Sequence, residues 1–153
     1  MKFLTAATLF SLLATGLAAP VKREEEEPKY FGLVTIHSGS AFQYAGVYEV
    51  ESHPHVFSVA GSEGEYVNLT MKADSSLTNA NGRGVYVDPS TGEVGLVGEG
   101  QTPSTGFKIE ENSLSYNDAE AFSACPSGEN KWSLTFNSTC TGGTGVGLYV
   151  VSA

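Results

Sequence analysis

The side chains of this chain that could carry chemistry include two cysteines and three histidines. A reactive thiol at Cys125 or Cys140 would need an electropositive neighbourhood rich in histidine, and the nearest histidines lie far upstream. The run His53-Pro54-His55 places two imidazoles close together, but a third ligand at zinc spacing is missing. We therefore predict surface histidines, no metal site and no catalytic cysteine.

Acidic residues are abundant, but their spacing does not define a catalytic pair. Glu110 and Glu111 are adjacent, and Asp118 and Glu120 follow closely. A glycosidase needs two carboxylates that converge across a cleft, which spacing alone does not establish. The sequence lacks a Gly-x-Ser-x-Gly nucleophile elbow, and after the glycine-rich run Gly142–Gly147 too few residues remain for the helix of a phosphate loop. We expect no enzyme and no cofactor.

The first residues have the pattern of a signal peptide. A lightly basic start at Lys2 leads into an apolar run from Phe3 to Leu17. Small residues follow, and we predict cleavage after Ala18, so that residues 1–18 are removed. A membrane anchor would need about 20 apolar residues followed by a basic stop signal, and a lipid anchor a hydrophobic C-terminal tail. We expect a secreted protein with no membrane span and no lipid anchor.

Residues 19–30 are predicted to be a pro-segment and an acidic leader. Lys22 and Arg23 form a dibasic pair and are a candidate processing site, with two solvated charges as the alternative. Four glutamates and a proline follow, a composition typical of disorder. Residues 31–153 would then form one β-domain, because the chain is too short for two domains of ordinary size.

The charge of the mature chain excludes one class of partner. The full sequence has a formal charge of −9, with 8 basic and 17 acidic residues. Removal of residues 1–23 takes away three basic residues and gives −12. Phosphate binding needs clustered Lys or Arg, so nucleic acid is not an expected partner.

In an exported chain, the cysteine pair and the Asn-x-Thr sequons become interpretable. An even pair of cysteines in an oxidising compartment predicts a Cys125–Cys140 disulfide, which would stabilise the fold by about 3 kcal/mol. The sequons at Asn68 and Asn137 are predicted N-glycosylation sites. Asn68 lies in an alternating run in which it would face solvent while Val67, Leu69 and Met71 face inward.

The rest of the mature chain has the pattern of an all-β protein. Short apolar-polar alternations are separated by Gly, Ser, Asn, Asp and Pro. The predicted strands are 31–37, 45–50, 55–60, 66–72, 84–87, 93–97, 106–110, 121–124, 131–137 and 146–151. Asn81-Gly82 is a turn signal, and Asp88–Gly92 predicts a hairpin.

A weak internal similarity suggests three β units. Val34, Leu69 and Phe107 open comparable stretches at offsets of 35 and 38 residues. A single closed β-barrel or a β-trefoil-like domain would accommodate this spacing, and a two-sheet β-sandwich is the alternative.

Three stretches of the chain resemble fungal cell wall proteins. Phe31–Ser40, together with Phe122-Ser123-Ala124-Cys125 and Trp132-Ser133-Leu134, is similar to the PhiA-like family, and the likeness extends over most of residues 30–153. The C-terminal part is also similar, more faintly, to the C-terminal domain of the Pir cell wall mannoproteins. The Gln-rich repeats through which Pir proteins are attached to glucan are not present, so covalent linkage is not carried over.

The resemblance implies a secreted, wall-associated glycoprotein linked to conidium and phialide development, and it brings no catalytic residues. Cell wall polysaccharide or wall proteins would be the partners. One alternative is a carbohydrate-binding, lectin-like module in which tyrosines stack on sugar faces. Another is a secreted effector, elicitor or allergen recognised by host immune receptors. Trp132, beside a predicted disulfide, is expected in the core.

Overall fold

The computed structural model of the chain describes residues 30–61, 64–138 and 140–152. The predicted signal peptide, the candidate processing residues Lys22 and Arg23 and nearly all of the 19–30 leader lie outside the described residues. Every regular element in the described part is a β-strand, which confirms the all-β class. It follows that no helix in these ranges is long and apolar enough to cross a bilayer.

The strands are short and follow one another closely. In chain order they are β1 (Phe31–Ile36), β2 (Ala45–Glu49), β3 (Ser58–Val59), β4 (Glu65–Tyr66), β5 (Leu69–Met71), β6 (Leu77–Asn79), β7 (Val85–Val87), β8 (Val94–Leu96), β9 (Phe107–Glu110), β10 (Ser113–Tyr116), β11 (Phe122–Gly128), β12 (Lys131–Phe136) and β13 (Thr144–Ser152).

Six strands close into an antiparallel barrel. The ring runs β1-β2-β3-β12-β11-β13 and returns to β1. The closing pair, β13 with β1, is long: it runs over six paired positions from Gly147 opposite Ile36 to Ser152 opposite Phe31. The predicted closed barrel is therefore confirmed, and the sandwich alternative is not the arrangement observed.

Side-chain alternation along the ring strands fills the barrel. Leu33, Val47, Leu134 and Leu148 are each at most 2% exposed and face inward. Thr35 is also fully buried, and its hydroxyl donates a hydrogen bond to the Phe42 carbonyl at 2.6 Å. A filled interior leaves the outer wall as the surface on which ring strands can present side chains to a partner.

The remaining strands pack around the barrel as hairpins. The β5–β6 hairpin joins β1 through Phe31 opposite Leu69, the β9–β10 hairpin joins β13 through Ser113 opposite Tyr149, and β7–β8 form a separate two-stranded sheet. Of the three positions that the internal similarity equates, Val34 belongs to the ring, whereas Leu69 and Phe107 belong to outer hairpins. The ring thus draws on the two ends of the described chain and lacks the threefold arrangement of a trefoil.

Candidate functional site

Three of the seven tyrosines lie on one part of the outer barrel wall. Antiparallel pairing places Tyr149 of β13 opposite Val34 of β1, and Val34 opposite Gly46 of β2. Tyr66 of β4 lies opposite Tyr48 of β2. We call these five residues the tyrosine face. Since neighbouring strands are about 4.8 Å apart, the row from Tyr149 to Gly46 extends for about 10 Å.

Gly46 allows the Tyr66 ring to lie against the wall. A Cβ atom at position 46 would overlap this ring, with Cζ at 2.9 Å and the hydroxyl oxygen at 3.0 Å. The Tyr66 ring also packs on Tyr48, with centroids 4.7 Å apart and planes inclined by 42°. Tyr66 is nevertheless 59% exposed, so much of the ring surface is open to solvent. Hydrogen bonding with the Tyr66 hydroxyl raises the pKa of Tyr48, and partial burial adds to this effect.

The opposite side of the face has a polar anchor. Asn112, in the β9–β10 turn, donates a hydrogen bond from Nδ2 to the Tyr149 hydroxyl at 3.3 Å. Tyr149 is 36% exposed, and the wall between the two tyrosines carries only Val34 and Gly46. Aromatic rings on a flat wall, with amide and hydroxyl groups at the edge, offer both a stacking surface and hydrogen-bonding groups. This combination suits a sugar ring.

The predicted glycosylation residue Asn68 borders the tyrosine face. Val67 and Leu69 are 1% and 0% exposed, as the alternation predicts, whereas Tyr66 is exposed and Asn68 is half-buried. Beyond Leu69 the alternation ends, because Thr70 is buried and Met71 is half-buried. Glycosylation of Asn68 stays a prediction.

The second sequon and the disulfide lie on other parts of the surface. Cys125 and Cys140 form the predicted disulfide, with Cα atoms 6.0 Å apart. Cys125 is buried, and its sulfur lies 3.3 Å from the Thr135 hydroxyl. Asn137 is exposed directly after β12, and its backbone N–H donates to the Ala121 carbonyl at 2.7 Å. Thr139 of this sequon lies outside the described residues, and glycosylation here also stays a prediction.

An acidic groove of about 1010 Å³ lies where β2 meets β4 and the β6–β7 turn. Glu49, Glu51, Glu65 and Arg83 line it. Burial raises the pKa of the Glu49 carboxyl; hydrogen bonds from Asn79 Nδ2, at 3.4 Å to both oxygens, oppose this, and the charge of Glu65 adds to it.

Arg83 is directed to a backbone acceptor, because Nε and Nη2 donate to the Val97 carbonyl at 3.1 and 2.9 Å. The groove therefore presents mostly negative charge, which attracts cations weakly and without specificity. In the ranges that the structure describes, no three side chains of the metal-ligating types are grouped to hold an ion.

The carboxylates that the sequence singled out lie in separate environments. Asp118 pairs with Lys108 at 3.2 Å, and both side chains are exposed. Glu110 and Glu111 are exposed at the end of β9 and in the turn after it, and Glu120 lines a shallow depression beside Asn137. Each thus has its own surroundings on the surface.

The two histidines of the His53-Pro54-His55 run form hydrogen bonds, and the tryptophan packs on an aromatic ring. His53 accepts or donates a hydrogen bond with the Ser52 hydroxyl at 2.9 Å, and His55 Nδ1 lies 3.1 Å from the Leu96 carbonyl. Trp132 is half-buried and packs edge-on against the buried Phe42, with centroids 4.9 Å apart. Trp132 therefore packs against the core but, contrary to the predicted core position, is not fully buried.

Comparison with known proteins gives a distant relationship. The chain is similar to two fission yeast but2-like proteins. Both are named as uncharacterised but2-like proteins of Schizosaccharomyces pombe, with 32% identity over 138 residues and 31% over 142 residues. The alignments cover 80% and 82% of this chain but only 28% and 34% of the relatives, so the chain spans about a third of their length. No protein-family model matches the chain, and no solved structure matches it significantly.

These relatives support a fungal protein family. Their names mention neither PhiA nor Pir, so they do not identify the chain as a member of either wall protein family.

Proposed function

We propose that this chain is an exported, wall-associated fungal glycoprotein domain that binds polysaccharide through the tyrosine face and catalyses no reaction. The observation that carries the proposal is the Tyr66 ring, which lies against the barrel wall over Gly46 and keeps 59% of its surface exposed. A soluble protein gains little by leaving such a ring in water, whereas a sugar ring placed on it buries apolar area on both partners.

The shape of the face favours an extended ligand. Val34 and Gly46 separate Tyr149 from Tyr66, so the surface between them is flat. A polymer lying across the strands can contact both tyrosines, and the two contacts reinforce each other because the second forms at high effective concentration. Single sugars should therefore bind much more weakly than chains.

The similarity to PhiA-like proteins supports the wall location, and through it the link to conidium and phialide development. Polysaccharide binding is compatible with this role, because a domain that holds wall polymer needs no covalent attachment. The tyrosine face thus supports polysaccharide binding, and the resemblance to PhiA-like proteins supports the location in the wall.

The test is a pull-down of the purified, glycosylated chain on insoluble β-glucan, chitin and intact walls, at 0.1 M and 1 M NaCl. Stacking on tyrosine depends little on ionic strength, so binding to at least one polymer should be saturable at both salt concentrations. Tyr66→Ala and Tyr149→Ala should each weaken it several-fold. Tyr86→Ala, on the separate β7–β8 sheet, is the matched control and should leave it unchanged. Binding that high salt removes, or that both face variants retain, would refute the proposal.

A further inference from the structure

We propose that the glycan attached at Asn68 packs on the tyrosine face of its own chain and thereby limits access of external polysaccharide to that face. The inference rests on the proposed function only in its second part. The packing of an attached sugar on Tyr66 needs no external ligand.

Asn68 lies beside the first strand of the barrel. Phe31 of β1 pairs with Leu69 in antiparallel register, and continuing this register by one residue places Asn68 opposite Gly32. Gly32 has no side chain, and the nearest atoms around its missing Cβ are Val151 Cγ2 and the Val67 carbonyl oxygen, both at 3.5 Å. Gly32 itself is buried, and the wall beside Asn68 is formed in this direction by the Val151 side chain and the Val67 backbone, with no aromatic ring among the nearest atoms.

Tyr66 is close to Asn68 along the chain. It ends β4, two residues before Asn68, and β5 begins directly after Asn68, so the two residues lie within the span of two backbone steps, at most about 7 Å between their Cα atoms. Tyr48 packs on Tyr66 at 4.7 Å and extends the aromatic surface. The first sugars of an attached glycan are thus within reach of a ring that is more than half exposed.

The Asn68 amide is partly buried in the wall. Its Oδ1 is buried, and among the described residues it is the one buried side-chain oxygen or nitrogen without a hydrogen-bond partner. Asn68 as a whole is half-buried, so part of the side chain other than Oδ1 reaches solvent. An N-linked sugar is joined to Nδ2, and with the amide oxygen held in the wall the attached glycan would leave close to the protein surface.

The burial of Thr70 limits when the sugar can be attached. Thr70 completes the sequon, is 8% exposed and lies opposite Thr78 in the β5–β6 hairpin. An enzyme that reads this hydroxyl requires an open chain, so attachment precedes folding. The barrel then folds with the glycan already beside the tyrosine face, and competition with polysaccharide exists from the start.

The experiment compares the exported wild-type chain, carrying isotope-labelled tyrosine rings, with Asn68→Gln and, as matched control, Asn137→Gln. Mass spectrometry should find Asn68 glycosylated. NMR signals of the Tyr66 and Tyr48 rings, assigned with Tyr→Phe variants, should shift in Asn68→Gln and stay unchanged in Asn137→Gln. Enzymatic removal of the glycan from folded Asn137→Gln protein, in which the Asn68 glycan is the remaining predicted one, should produce the same shifts, which separates the effect of the glycan from an effect of the Asn68 substitution on folding.

Pull-downs on β-glucan and chitin complete the test. Asn68→Gln should bind at least threefold more tightly than Asn137→Gln. An unoccupied Asn68, or ring signals that do not change on removal of the glycan, would overturn the inference and leave the proposed function standing. Ring shifts in a protein that binds no polymer with or without the glycan would overturn the proposed function and the competition, while the packing of the glycan would stand.

Discussion

The substitution Gly46→Ala should separate the stability of the barrel from the integrity of the tyrosine face. The new Cβ would overlap the Tyr66 ring, whose Cζ atom lies 2.9 Å from the site. The Cε1 atom of the ring lies closer still, and ordinary contact begins near 3.4 Å, so the ring must withdraw by about 1 Å. It can do so cheaply, because the contact involves the exposed end of a rotatable side chain.

Two opposing effects set the size of the stability change. Loss of the Tyr48–Tyr66 packing should cost about 0.5–1.5 kcal/mol. Replacement of glycine by alanine within a strand should return about 0.5–1 kcal/mol. We therefore expect the free energy of unfolding in urea to change by less than about 1 kcal/mol. Polysaccharide binding should weaken by about 2- to 13-fold, which corresponds to the loss of one aromatic contact.

The ring interaction has a readout that does not depend on binding. Hydrogen bonding with Tyr66 raises the pKa of Tyr48, so displacement of Tyr66 should lower this pKa towards its ordinary value. An NMR titration of the Tyr48 ring in both proteins measures the difference. Gly145→Ala is the matched control, because a Cβ at this strand position meets no atom within 4 Å. A loss of more than about 3 kcal/mol in Gly46→Ala, or an unchanged Tyr48 titration, would show that the account of Tyr66 is wrong.

Three further predictions concern stability. Gly95→Ala should destabilise the fold by about 3 kcal/mol or more in urea unfolding. The new Cβ would overlap the His55 carbonyl and the Val56 nitrogen, and these backbone atoms cannot rotate away. A loss below about 1 kcal/mol would contradict this prediction. Glu49→Gln should stabilise the protein at neutral pH. Because the pKa of Glu49 is raised in the folded state, the wild-type protein loses stability as pH rises through that pKa. The thermal unfolding midpoints of the two proteins should therefore converge below about pH 4 and diverge above it. A difference in midpoint that persists at low pH would argue against burial as the cause. Replacement of both Cys125 and Cys140 by serine should cost about 3 kcal/mol, given a sequence separation of 15 residues; an unchanged unfolding midpoint would contradict the prediction.

Local chemistry in the sequence predicted many strands and their turns. Observed strands fall within or overlap each predicted one, and Asp88–Gly92 forms the expected hairpin, with Val87 opposite Val94 and the Gly92 φ at 82°. The strands β6 and β10 were missed. Each is short and rich in Ser, Thr or Asn. The β9–β10 turn places Glu111 and Asn112 at φ values of 51° and 67°, without the glycine that usually marks such a turn.

The ring order and the tyrosine face depend on long-range pairing, which local patterns do not contain. The similarity among Val34, Leu69 and Phe107 reflects comparable strands and turns, but only β1 joins the ring. Tyr66 and Tyr149 are 83 positions apart and meet on one wall only because β1 lies between β13 and β2. The sequence could suggest that tyrosines contact sugars, but the register was needed to identify which tyrosines lie together and that Asn68 is beside them.

The pairing of β1 with β13 also governs the order of events during folding. Phe31 lies opposite Ser152, so the ring cannot close until the last described strand has been synthesised and is free to move. Loops of this length close at a high entropic cost, and topologies dominated by distant contacts fold slowly. A nascent chain that lacks β13 therefore has no complete barrel in which to become trapped. In the proposed export of this chain, the delay would keep the residues before β13 unfolded, and so able to pass a narrow translocation channel, until β13 has been synthesised.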